Sequence, residues 1–208
     1  MARIFFTSRP FGDMKTPKAR NSLQSALCLQ SLAFMEQTHS DVIEVIQGAG
    51  SEPSADALVT TTRGMGIAVL VADCIPLLLF SEKAVAAVHV GRKGVLNKIA
   101  VKTVEKMRSL EAGKISAVIG PSICRNCYEV SPEMYEQITQ VVPASATTKK
   151  LHALDLKAAL SDQLAYLSVK VKDLQLCTLC SVNQSGKSDY FSYRGGDKSA
   201  RMAGVISL

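Results

Sequence analysis

Four short apolar runs crowd into residues 57–89, and they restrict the chain to a fold built around a buried β-sheet. The runs cover residues 57–61, 67–71, 77–80 and 84–89. Each has strand length and is bounded by polar or turn-forming residues, the pattern expected of strands covered on both faces. The longest apolar stretch, residues 67–80, is broken by Asp73, Cys74 and Pro76. A spanning helix needs about 20 apolar residues, so no membrane span is expected. Only Ser81-Glu82-Lys83 separates the last two runs, which predicts a close antiparallel hairpin.

Helical patterns surround this block. Residues 22–34 carry apolar positions at Leu23, Ala26, Leu27 and Leu32 behind an N-cap at Asn21 or Ser22, and Val95, Ile99, Met107 and Leu110 predict a helix after Gly94 that ends near Gly113. Ser131-Pro132 reads as a cap followed by proline at the first helical position, and Asp155 as the cap of a helix reaching residue 167. Further strands are expected at 115–119, 171–176 and 202–208, with loops at 48–54 and 143–150. Strands and helices alternate irregularly, so the fold class is α+β: a mixed β-sheet core flanked by helices, in a single domain over residues 1–208.

The 208 residues, 47% of them apolar, suffice for a substantial core. After the first charge only Ile4, Phe5 and Phe6 are consecutively apolar, too few for a secretory signal, so a cytoplasmic protein is expected. In that reducing compartment the six cysteines (28, 74, 124, 127, 177 and 180) read as core residues, metal ligands or nucleophiles. The net charge of +6 favours anionic ligands. The basic residues are scattered and not interleaved with aromatics, which argues against nucleic acid as a partner.

The hairpin also brings chemistry together. With its centre between Ser81 and Glu82, residues whose numbers sum to 163 face each other, and Cys74 pairs with His89; opposed side chains of an antiparallel pair lie about 4.5–5.5 Å apart at Cβ. His39, in Gln37-Thr38-His39-Ser40, is the natural third donor. A thiolate and two imidazoles suit Zn²⁺ in a catalytic site with one open position, whereas a buried core cysteine and a hydrogen-bonded histidine are the plain alternative. Asp73 is a candidate supporting group, equally readable as a structural hydrogen-bond acceptor. The turn Val90-Gly91-Arg92-Lys93-Gly94 before the next helix could hold phosphate on backbone N–H groups, or serve only as a turn.

Thr7-Ser8-Arg9, Gln37-Thr38-His39-Ser40, Ala55-Asp56-Ala57-Leu58-Val59-Thr60, Ala72-Asp73-Cys74-Ile75-Pro76 and Ala87-Val88-His89-Val90-Gly91 follow one another in an order that resembles the YfiH-type family, also called the multicopper polyphenol oxidase or laccase-domain family. Ile119-Gly120-Pro121, Cys127-Tyr128-Glu129-Val130, Leu154-Asp155-Leu156, Cys177-Thr178 and Phe191-Ser192-Tyr193-Arg194 extend the resemblance over nearly the whole chain. It implies a YfiH-like fold, similar to that of toxin deamidases, with catalytic zinc on His39, Cys74 and His89. It further implies phosphorolysis of purine nucleosides such as adenosine and inosine, with adenosine deamination and methylthioadenosine cleavage as related activities. The family usually reads His-Ala-Gly-Trp-Arg-Gly where this chain has His89-Val90-Gly91-Arg92-Lys93-Gly94, so one wall of the pocket differs.

On this reading the ligands are a purine nucleoside and phosphate, the latter held by Arg9, Arg92 and Lys93, and monomer and homodimer are both compatible with it. Copper is the alternative metal carried by the family label, but three histidines in all are too few for a multicopper oxidase. A rival enzyme would use Cys74 as nucleophile and His89 as base against an amide, as in editing of peptidoglycan precursors. A non-enzyme would bind a nucleotide without turnover. Cys124-x-x-Cys127 and Cys177-x-x-Cys180 have the form of zinc knuckles, but the long interval between them is nonspecific and Cys127 and Cys177 fall within the resemblance.

Overall fold

The computed structural model describes residues 2–50, 52–147, 152–183, 186 and 188–208. Ser51 of the expected 48–54 loop and residues 148–150 of the 143–150 loop lie outside them. Among the described residues the elements are β1 (Arg3–Phe6), α1 (Pro17–Ala26), β2 (Ser31–Ala33), β3 (Ile43–Val45), β4 (Ala57–Thr60), β5 (Met65–Val71), β6 (Ile75–Phe80), β7 (Val85–Val90), α2 (Arg92–Leu96), α3 (Ile99–Ser109), β8 (Ser116–Ile119), α4 (Pro132–Val141), α5 (Leu156–Ala165), β9 (Lys170–Asp173) and β10 (Met202–Ser207). No helix among them is long and apolar enough to cross a membrane.

The strands form two mixed sheets. One runs β1-β10-β5-β2, and the other β3-β4-β7-β6-β8-β9. Side-chain alternation explains how they stack. On β4, Ala57 and Val59 point toward the helices, while Leu58 points toward the other sheet. Likewise Leu77 and Leu79 of β6 meet Val95, Val104, Met107 and Leu160 from the helices, whereas Leu78 packs with Ile67 and Val69 of β5. The opposite face of the four-stranded sheet, through Ala68, Ala203 and Val205, covers Leu23 of α1. Four layers result: α1, sheet, sheet, and the remaining helices. Because β6 and β7 are central in this stack, their apolar runs are continuous rather than alternating.

The expected strands at 57–61, 67–71, 77–80, 84–89, 115–119, 171–176 and 202–208 are all present within a few residues. Ser131 and Asp155 cap α4 and α5 as expected, accepting from Met134 N (3.3 Å) and Ala158 N (2.9 Å). Three features differ. The helix expected at 22–34 is Pro17–Ala26, capped by Thr16, and residues 31–33 form β2 beside β5. The helix after Gly94 is broken at Lys98, which sits at φ 59° while the Asn97 side chain caps Ile99. The hairpin register is also shifted, because Ser81 to Ala84 form a four-residue turn in which the Ser81 hydroxyl accepts from Lys83 N and Ala84 N. Phe80 therefore faces Val85 and Pro76 faces His89, which leaves Cys74 just outside the ladder. Pro76 is tolerated as the second residue of β6, before pairing with β8 begins at Leu77.

β5 belongs to the first sheet and β6 to the second, so Ala72-Asp73-Cys74 carries the chain from one to the other. Asp73 makes this crossing at φ 99°, a conformation uncommon outside glycine. Nearby, the ring of Phe6 lies against Gly120 and Gly204; a Cβ on Gly120 would come within 2.1 Å of Phe6 Cε1. Gly120→Ala should therefore lower the unfolding free energy by about 1–3 kcal/mol, the usual cost of overpacking. Urea titration checks this, and Phe6→Leu in the same chain should recover part of the loss.

Candidate functional site

The site is organised by a carboxylate that touches no solvent. Asp56, just ahead of β4, is completely buried. Its Oδ1 accepts from His39 N (3.1 Å), and its Oδ2 from Thr38 N (3.1 Å), Ser40 N (2.6 Å) and the Ser40 hydroxyl (2.8 Å). His89 Nδ1 lies 2.7 Å from Oδ1, and His89 N donates to the Asp56 carbonyl (2.8 Å). Burial alone would favour the neutral acid, but the bonds from His89 and Ser40 hold its pKa far below the ordinary carboxylate range. One anion thus fixes the His39 loop and the His89 ring together. With Nδ1–H donated to Asp56, His89 is left with Nε2 as its free lone pair.

His39 occupies the left-handed region (φ 60°), which turns its ring onto Cys74. Its Nε2 lies 3.8 Å from Cys74 Sγ, and the His39 and His89 rings meet edge to face with centroids 4.6 Å apart. One donor atom from each of His39, Cys74 and His89 falls within 4.8 Å of the other two. Bonds of about 2.3 Å to sulfur and 2.0–2.1 Å to nitrogen on a tetrahedral ion would separate sulfur and nitrogen by about 3.6 Å. The donor set can therefore hold a metal ion. Gly91 lies beneath it: a Cβ there would stand 3.0 Å from Cys74 Sγ and 3.2 Å from His39 Cδ2. The glycine of the turn provides clearance for the donors.

The carboxylate behind a donor histidine is thus Asp56, which the sequence reading passed over in favour of Asp73. Asp73 has a different task. Its carboxylate accepts from the Thr178 hydroxyl (2.6 Å), the Ser192 hydroxyl (2.7 Å) and Arg194 N (2.7 Å), and its carbonyl from Ile123 N (2.9 Å). Three distant loops are gathered onto the crossing that carries Cys74. Thr178, Ser192 and Arg194 offered a sequence signal only through the family segments, and their common partner is set by topology.

His39, Cys74 and His89 open onto a cavity of about 560 Å³, lined also by Gln37, Tyr128 and Tyr193 and by the cations Lys15, Arg20, Arg194 and Arg201. The Arg194 guanidinium lies 5.0 Å from the Tyr128 ring centre and donates to the Glu129 carbonyl (2.7 Å). Arg20 is tied to Glu52 and stacks on Phe34. The basic residues singled out from sequence sit elsewhere. Arg9 makes a two-pronged ion pair with Asp197 (3.0 and 2.9 Å) and covers Phe191. Lys93 is exposed on α2, and Arg92 bears on the cavity through the Tyr128 phenol, whose pKa burial raises against the charges of Arg92 and Arg194.

A family description matches residues 12–208: the multi-copper polyphenol oxidoreductase laccase family. The chain belongs to this family. It is 39% identical over 201 residues to a purine nucleoside phosphorylase of Corynebacterium glutamicum, spanning 91% of this chain and 80% of the relative. It is 38% identical to a Streptomyces griseus protein of the same name (85% and 74%), and 33% identical to an adenosine deaminase from an unknown prokaryotic organism (76% and 70%). Among solved structures, a Neisseria meningitidis DUF152 protein superposes with a TM-score of 0.83 at 25% identity, covering all of this chain and 94% of that one. Bacillus licheniformis YfiH superposes at 0.82 and 22% identity, covering 100% and 92%. The YfiH-like α+β fold is thereby established.

Without metal, the donors hold charge between them. Burial opposes ionisation of the Cys74 thiol, but hydrogen bonds and charge from His39 and His89 lower its pKa to about 6. Burial likewise opposes the His89 cation, but Asp56 and Cys74 raise its pKa to about 9. The raised histidine contributes stability that is lost as pH rises from its unfolded value of about 6.5 through 9. The lowered thiol contributes stability that grows over nearly the same interval, so the two offset each other. Metal-free Cys74→Ala should therefore lose unfolding free energy, relative to metal-free wild type, as pH rises from about 6.5 to about 9. Urea titrations at several pH values measure that difference.

Proposed function

We propose that this laccase-family chain is a zinc-dependent purine nucleoside phosphorylase acting on adenosine and inosine. The observation that carries the reading is the His39, Cys74 and His89 donor set opening directly into a cavity walled by aromatic and cationic side chains. The relatives named purine nucleoside phosphorylase support the substrate class. A thiolate with two imidazoles suits zinc, and three protein donors leave a coordination position open. Bound there, zinc would supply Lewis-acid stabilisation of developing negative charge. Copper is the alternative metal, and elemental analysis separates the two.

The protein's own groups do the remaining work. Asp56 fixes the His89 ring and the His39 loop, so the donors need no reorganisation. Tyr128 and Tyr193 offer faces for a purine. Arg194, with Lys15 and Arg201, presents positive charge for phosphate beside developing oxocarbenium character at the ribose. These cations take the place of Arg9 and Lys93 in the reading, while Arg92 acts through Tyr128. Adenosine deamination and methylthioadenosine cleavage are related activities for the same pocket, the former supported by the relative named adenosine deaminase.

Adenosine and phosphate should yield adenine and ribose 1-phosphate, separable by chromatography. Arg194→Ala should raise the KM for phosphate about tenfold or more, the equivalent of about 1.4 kcal/mol, with a smaller effect on the nucleoside. His39→Ala should abolish turnover together with zinc at this site. Gly91→Ala should weaken zinc binding and turnover without altering a donor, because its methyl would crowd Cys74 and His39.

The lowered Cys74 thiol beside the raised His89 imidazole favours one other reading, a cysteine hydrolase with Cys74 as nucleophile and His89 as its base. Wild-type protein with zinc at this site that releases no base from any purine nucleoside, yet cleaves an amide, would replace the phosphorylase reading with this one.

A further inference from the structure

Cys124-x-x-Cys127 and Cys177-x-x-Cys180 are far apart in sequence, yet the sheet brings them to one place. β8 and β9 are parallel neighbours, with Ile119 opposite Asp173, so the chain leaves both at the same end of the sheet. The two outgoing segments stay side by side through Leu174 N to the Ile119 carbonyl (3.1 Å), Ser122 N to the Leu176 carbonyl (3.2 Å) and Thr178 N to the Ser122 carbonyl (3.3 Å). Each then turns through its Cys-x-x-Cys, with Cys127 N donating to the Cys124 carbonyl (2.9 Å) and Ser181 N to the Cys177 carbonyl (3.2 Å). The wide spacing that makes the motif nonspecific in sequence is removed by one parallel pairing.

All four sulfur atoms lie within 4.8 Å of one another, and Cys124 Sγ is 3.7 Å from Cys180 Sγ. A tetrahedral ion with metal–sulfur bonds of about 2.3 Å separates its sulfurs by about 3.8 Å. A disulfide would need about 2.05 Å, so this separation fits a shared ion and not a bond. Buried Cys177 Sγ accepts three backbone N–H groups, from Cys124 (3.4 Å), Leu179 (3.4 Å) and Cys180 (3.5 Å). That arrangement stabilises thiolate charge as a metal-binding knuckle requires.

We propose that Cys124, Cys127, Cys177 and Cys180 bind one zinc ion in a closed four-thiolate site, separate from the His39, Cys74 and His89 centre. Four protein donors leave no open position, so this ion is structural. It clasps two loops that end in the candidate pocket: Tyr128 follows the first knuckle directly, and Thr178 within the second donates to Asp73.

Metal content should be measured by elemental analysis and native mass spectrometry on the full chain, purified without added metal. Wild type should carry two zinc ions and Cys74→Ala one. Cobalt exchanged into Cys74→Ala should give the intense ligand-field bands of tetrahedral thiolate coordination. Adding Cys124→Ser and Cys180→Ser should remove the remaining ion; if that variant fails to fold, the Cys74→Ala measurement still decides. One zinc in wild type that survives Cys74→Ala would support this site and count against the other. A Cys74→Ala protein without metal, in which Cys124, Cys127, Cys177 and Cys180 all react freely with a thiol reagent or are found in disulfides, would overturn the proposal.

Discussion

The candidate centre depends on burying Asp56 as a charged group. An unpaired carboxylate in a dry interior is costly, so the fold around it must deliver donors. It does so from two directions: three consecutive backbone N–H groups of residues 38–40, and the ring and backbone of His89 on β7. Satisfying this one group determines the conformation of the His39 loop, including its left-handed turn, and the rotation of the His89 ring. The geometry of the candidate centre is therefore a by-product of hydrogen-bond satisfaction in the core.

A second constraint is the passage between sheets. Cys74 sits on a crossing too short to be relaxed, and Asp73 adopts a conformation that costs on the order of 1–3 kcal/mol for a residue with a side chain. The conformation persists because the Asp73 carboxylate and carbonyl are held by partners from three loops. Strain at the crossing and order in the pocket wall support each other, since releasing any of the loops would also release the backbone beside Cys74.

The central strands were legible because their apolar runs are continuous, and the caps of α4 and α5 because Ser-Pro and Asp signals act locally. The register of β6 and β7 was not, because it turns on how many residues the Ser81 side chain folds into the turn, a choice the flanking apolar runs do not reveal. His39, Cys74 and His89 do converge, although by a route other than cross-strand pairing. Asp56 was hidden by appearance: in Ala55-Asp56-Ala57 it looks like a surface acid before a strand, and only the tertiary structure removes its water. The grouping of the cavity's cations was illegible for a different reason, since Lys15, Arg20, Arg194 and Arg201 come from opposite ends of the chain and share a pocket only after β10 has paired with β1 and β5.

The three donors also divide between the layers. His89 belongs to the six-stranded sheet, Cys74 to the crossing from the four-stranded sheet, and His39 to the segment that leaves β2 of the four-stranded sheet for β3 of the other. Any ion held by all three spans the seam between the two halves of the core. A shift of one sheet over the other would act on Cys74 through the crossing that joins them, while His39 and His89 stay tied to each other through Asp56. Core substitutions between the sheets, at Leu78 or Val69 for example, would then reach the donors through the short Ala72-Asp73-Cys74 crossing.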